Sequence, residues 1–171
     1  MQTVKATIRR GYRVASGQAL EGTDQRFNED GGTICLQVPE FKKRGLDLDE
    51  YFGGKPGQAY VLGTLGCDIT PYEVRIVRPE YHLLDVRWTE KFDNEIPEFK
   101  ENFFLSPAVV EFGGSSYRAL LYMPDPATKP GHFHPPSTIE VIAQRIPDLA
   151  YGDSIVLSYN PGAISLEIPQ P

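Results

Sequence analysis

Residues 109–123, VVEF, Gly113-Gly114 and SSYRALLYM, constrain this chain more than any other stretch. Two apolar runs separated by adjacent glycines select a tight hairpin, because the favoured two-residue turn needs positive φ at both central positions. The same habit recurs along the chain. The runs AYVLGTLGCDI (59–69), YEVRIV (72–77), HLLDVRW (82–88), TIEVIA (138–143) and SIVLSY (154–159) are short, apolar or alternating, and cut by Pro71 and Pro79. Each reads as a strand between tight turns. KATIRRGYRVA (5–15) and the alternating TICLQV (33–38) read the same way, and NPGAISLEIPQP is expected to add one edge strand before the chain frays. With 171 residues the chain has the length of one domain with one core, spanning 1–171.

One short helix is expected in PEFKKRGLDLDEYFGG (39–54), with Pro39 at its first position, a break at Gly45 and Gly53-Gly54 as the stop. EKFDNEIPEFKEN (90–102) is charged and contains Pro97, so it reads as an exposed excursion. PDPATKPGHFHPPS (124–137) places five prolines and two histidines in fourteen positions, which excludes regular helix and most strand pairing. It must be a shaped loop.

Charge narrows the partners. Seventeen Lys and Arg against 23 Asp and Glu leave a net charge of -6, which opposes a phosphate backbone unless basic residues cluster. Arg9-Arg10 and Lys42-Lys43-Arg44 read as solvated surface, so nucleic acid is not an expected partner. No run approaches the roughly 18 apolar residues of a membrane span, and the first ten residues lack a signal-peptide core. A cytoplasmic protein without membrane contact is expected; oligomeric state is not readable. Cys35 and Cys67, too few for a disulfide framework, read as buried free thiols.

Three places carry chemistry. His132 and His134, two apart in an extended segment, point to one side and have a spacing that can ligate metal. Nothing in the sequence identifies a third ligand, which leaves loop histidines or ligand contacts. Glu140 lies between Ile139 and Val141 in a strand with no clean polar face. Its carboxylate is either half exposed or aimed into a pocket, and the pocket requires a hydrogen-bonding partner. The glycine-bearing loop Ser16, Gly17, Gln18 to Gly22 follows a strand and could offer converging N–H groups to a phosphate, although it is not a Walker A sequence.

Taken in order, four segments resemble the archaeal CTP-dependent riboflavin kinase family, cradle-loop β-barrels that phosphorylate riboflavin to FMN. VASGQALEG (14–22) is similar to that family's Val-x-Ser-Gly loop, which holds the cytidine nucleotide. ICLQVPEFK (34–42) leading to GTLGCDI (63–69) is similar to its segment carrying the magnesium ligands. VEFGGSSYRALLYMPDPAT (110–128) resembles the hairpin before its flavin loop, and HFHPPSTIEVIA (132–143) resembles the stretch that supplies a glutamate to the flavin.

The resemblance implies a mainly β fold, a single closed or nearly closed barrel with one short helix, and residues 78–102, which have no counterpart in the family, are expected to be an inserted hairpin. The resemblance also implies transfer of phosphate from CTP or another nucleoside triphosphate to riboflavin or a related alcohol. Nucleotide contacts then fall on Ser16, Gly17, Gln18, Gly22 and Arg145, Mg²⁺ on Thr64, and flavin contacts on His132 and Glu140, with Glu140 or His134 as base. The chain departs from the family where Thr-x-Asn at the metal becomes Thr64 followed by Gly66. A non-catalytic barrel binding a flavin or nucleotide, having lost that metal site, is therefore the competing expectation. A third is an interaction module that meets a protein through the inserted hairpin.

Overall fold

The computed structural model describes residues 1–9, 34–87, 100–128 and 135–171. In chain order these form β1 (Gln2–Arg9), α1 (Ile34–Lys43), α2 (Leu48–Phe52), β2 (Leu65–Asp68), β3 (Glu73–Ile76), β4 (Tyr81–Val86), β5 (Glu101–Phe112), β6 (Ser115–Pro124), β7 (Thr138–Ala143), β8 (Ser154–Tyr159) and β9 (Ile164–Glu167). The chain is mainly β. Six strands close antiparallel in the order β5-β6-β7-β2-β1-β8 and back to β5, and closure leaves these strands no free edge. No described helix is long and apolar enough to cross a membrane.

The hairpin forms in the expected register. Ten pairs run from Phe103↔Pro124 to Phe112↔Ser115, and the turn residues Gly113 and Gly114 have φ of 60° and 80°. Those are the left-handed conformations that favour glycine.

Strand β5 is long because one edge serves two partners. Its first half pairs with β4, from Val86↔Glu101 to Tyr81↔Leu105, and its second half with β8, from Ala108↔Tyr159 to Glu111↔Val156. Pro107 falls between the two ladders, where no partner needs an N–H.

Alternation sends the two faces of the sheet into different cores. Val4, Ala6, Cys67, Ala108, Val110, Leu121, Val141 and Leu157 fill the barrel. Phe103, Leu105, Leu120, Tyr122 and Ile142 point outward and are covered by Ile34 and Phe41 of α1 and Leu48 and Phe52 of α2. Strands β5 to β7 are thus apolar on both faces, which is why TIEVIA shows no polar face. Neither cysteine is disulfide-bonded; Cys67 is buried in the barrel, and burial pushes its thiol up to about 12, while Cys35 is only half-buried.

Three expectations are corrected. TICLQV is not a strand, because α1 begins at Ile34. Ile34, Gln37 and Phe41 are buried at helical spacing, and a six-residue window of alternation could not exclude that period. Pro39 consequently lies inside α1 and not at a helix start. The expected break at Gly45 separates two helices, of which the second is short. The first ends before Gly45 (φ 95°), and the second is capped by the Asp47 carboxylate, which accepts from the Asp49 and Glu50 N–H groups, and closed by Gly53 at φ 77°.

The excursion at 90–102 ends sooner than expected, since Glu101 opens β5 and is 3% exposed. Residues 88–99 are outside the described set. Of 78–102, residues 81–86 form β4, a strand laid on the start of β5.

Among the described residues one buried side-chain polar atom lacks a hydrogen-bond partner, the Ser106 hydroxyl, on the barrel-facing side of β5. Removing an unpaired buried hydroxyl relieves its desolvation. Ser106→Ala is expected to stabilise the fold by about 1 kcal/mol, read as a raised urea midpoint at unchanged slope. A lowered midpoint would mean that the hydroxyl is satisfied.

Candidate functional site

The paired ladder of β6 and β7 runs from Ala119↔Ala143 to Tyr122↔Glu140 and stops. Strand β6 continues to Pro124 and β7 begins at Thr138, so the two splay apart. The proline-rich connection enforces this, because Pro124, Pro135 and Pro136 have no N–H with which to extend a ladder. A cleft of about 240 Å³ occupies the splay. Tyr122, Met123, Pro124 and Pro126 form one wall; Pro135, Pro136, Thr138 and Glu140 form the facing one.

Val74 and Ile76 of β3 close the third side. The Val74 N–H donates to the Pro136 carbonyl at 2.8 Å, which fixes β3 against the loop. The volume lies just under the roughly 300 Å³ at which drug-sized pockets begin. The cleft therefore suits a ring-sized group and not a whole nucleotide.

Its polar corner is Glu140, 9% exposed. The Thr64 hydroxyl donates to Glu140 Oε1 at 2.9 Å, joining positions 76 residues apart. The register makes this contact. Gly66 on β2 pairs with Glu140, so Thr64, two residues earlier, falls on the same face and diagonal to the carboxylate. No side chain on β2 stands directly beside Glu140.

On the other flank Tyr122 pairs with Glu140, and its hydroxyl donates to Gln37 Oε1 of α1 at 2.7 Å. Burial, together with the Glu101 and Glu140 carboxylates nearby, holds the Tyr122 phenol well above its usual range. It therefore remains a protonated donor, and its ring stays fixed as part of the cleft wall. A mostly apolar slot with one carboxylate can sandwich a flat ring and accept an N–H or O–H at one point.

Of the residues singled out in the sequence, Thr64 and Glu140 come together. Arg145 is exposed, two residues past the end of β7 and at the opposite end of that strand from Thr138. His132, His134, Ser16, Gly17, Gln18 and Gly22 lie outside the described residues. Tyr122 and Gln37 were not singled out. Alternation along β6 places Tyr122 with Leu120 on the outward face, a usable signal, whereas Gln37 sat in a segment read as a strand.

Among the described residues no group of three or more His, Cys, Asp or Glu stands together as a metal site. Searches against protein-family models and curated protein sequences returned no match.

Proposed function

We propose that the protein is a riboflavin-kinase-like phosphotransferase, with a flavin ring seated in the β6/β7 cleft and a CTP-like nucleoside triphosphate as phosphate donor. The observation that carries this reading is the Thr64–Glu140 hydrogen bond at the corner of the cleft. The family resemblance assigns one of these residues to the metal and the other to the flavin. Phosphoryl transfer depends on positioning and charge neutralisation, so donor and acceptor have to meet at one point. Two oxygen-bearing residues brought together at the edge of an apolar slot support such a meeting point.

The Thr64 hydroxyl is a hard oxygen donor of the kind Mg²⁺ takes, and the ion would complete its shell with phosphate oxygens and water. A bound ion would neutralise phosphate charge there. Glu140 would orient the acceptor hydroxyl and take its proton, with His134 the other candidate. Ser16, Gly17, Gln18, Gly22, Arg145 and His132 complete the nucleotide and flavin contacts in this reading, and the setting is a cytoplasmic, small-molecule one.

A second reading is favoured by Gly66. It pairs with Glu140 where the family carries asparagine, which removes a side-chain oxygen from the corner. Binding without transfer follows if that oxygen is required. Calorimetric titration with riboflavin, FMN, CTP and ATP, each with and without Mg²⁺, tests both. Riboflavin is expected to bind, and FMN to form when CTP and Mg²⁺ are added. Binding without turnover, together with transfer gained by Gly66→Asn, selects the second reading; no binding of any of the four ligands refutes both.

A further inference from the structure

The β5/β6 ladder does not end in an ordinary rung. One step beyond Phe103↔Pro124, the Asp125 N–H donates to the Asn102 carbonyl at 2.8 Å, as an antiparallel pair requires. The reciprocal bond is missing. The Asn102 N–H instead donates to the Thr128 hydroxyl oxygen at 2.9 Å, and that hydroxyl in turn donates to the Asp125 carbonyl at 3.2 Å. A side-chain hydroxyl is thus inserted between the donor and acceptor of the last rung.

The insertion shapes the chain that follows. Residues 125–128 close as a turn, with the Thr128 N–H on the Asp125 carbonyl at 3.0 Å and the Ala127 N–H on Asp125 Oδ1 at 3.0 Å. This turn holds Pro126, which with Pro124 forms part of the cleft wall.

The anchor of the turn is itself tied down. Asn102 Oδ1 accepts the N–H of Asp85, a residue at φ 51° in the bulge of β4. The Arg44 guanidinium, at the end of α1, donates to the Leu84 and Asp85 carbonyls at 2.6 Å each. Helix, bulge, β5 and turn form one chain of hydrogen bonds ending at the proline wall.

We infer that Thr128 is a positioning residue for the cleft: its hydroxyl, held in the last rung by Asn102 and Asp125, sets the proline wall at the spacing a ring-shaped ligand needs. This rests on the cleft being a binding site, and it names a residue outside the lining. Without the hydroxyl the Asn102 N–H and Asp125 carbonyl can bond directly, which would draw the turn inward and shift Pro126.

Thr128→Val removes the hydroxyl at nearly constant shape, and Thr128→Ser keeps it. Two readouts are needed: amide exchange at Asn102 in the ligand-free protein, and riboflavin affinity from fluorescence titration. The valine variant is expected to speed or slow Asn102 exchange and to raise the riboflavin Kd, each by about tenfold, the size of one hydrogen bond. The serine variant should match the parent in both, and the Leu121 amide should not change in either. An unchanged Asn102 amide in Thr128→Val, or a riboflavin Kd equal to the parent's, overturns the inference. If the parent itself does not bind riboflavin, the flavin reading of the cleft falls, and Asn102 exchange alone decides whether Thr128 holds the wall.

Discussion

Phe103→Ala is expected to lower the unfolding free energy by about 4 kcal/mol, the upper range for truncating a buried aromatic. Phe103 is completely buried on the outward face of β5. Its ring meets Phe41 of α1 edge-on at 5.3 Å between centroids and Tyr122 of β6 at 5.4 Å. One side chain thus links the helix layer to the barrel wall and steadies the tyrosine beside the cleft. Truncation leaves a cavity bounded by strands that are hydrogen-bonded on both sides and unable to collapse into it. Phe103→Leu should cost about 1.5 kcal/mol, since most of the volume is kept. Urea unfolding followed by both far-ultraviolet circular dichroism and tyrosine fluorescence checks this. A loss under 2 kcal/mol, or separate midpoints for the two signals, would show that the helices are not part of the barrel's cooperative unit.

The same double-sided burial explains what the sequence did and did not disclose. Strands β6 to β8 were legible because YRALLYM, TIEVIA and SIVLSY are short, apolar and bounded by turn residues, and Gly113-Gly114 fixed one register outright. Segment 34–43 resembles a strand at its start because Ile34, Leu36 and Val38 alternate over 33–38. The residues that decide the matter, Gln37 and Phe41, sit one and two turns along a helix whose buried face includes a polar side chain. Glu101 misled for a related reason. A carboxylate amid charged neighbours reads as exposed, yet here it opens a strand buried on both faces.

The site was legible only in part. Glu140 stood out as a carboxylate with no polar face to occupy, and the family resemblance pointed to Thr64. That they touch depends on the β2/β7 register, which no local pattern encodes. Tyr122 and Gln37, 85 residues apart, are joined by the same kind of long-range packing.

Glu140 is where the proposed function is most exposed to refutation. Glu140→Ala is expected to weaken riboflavin binding by about 100-fold, because a hydrogen bond from a ligand to a charged acceptor contributes roughly 1.5–3 kcal/mol. Glu140→Gln keeps an acceptor oxygen for Thr64 and for the ligand but removes the charge, so a loss of only about tenfold is expected. Thr64→Val removes a donor that bonds Glu140 Oε1 at 2.9 Å. In the parent it should weaken binding only a few-fold, through looser orientation of the carboxylate. In the Glu140→Ala background it should have no further effect, so a double-mutant cycle should return about 1 kcal/mol of coupling between the two positions. Additive losses would mean that Thr64 contacts the ligand on its own account, as a metal-side residue would. Parent-like affinity in Glu140→Ala would show that the carboxylate does not face the ligand, and the reading of the cleft as a flavin site would fail with it.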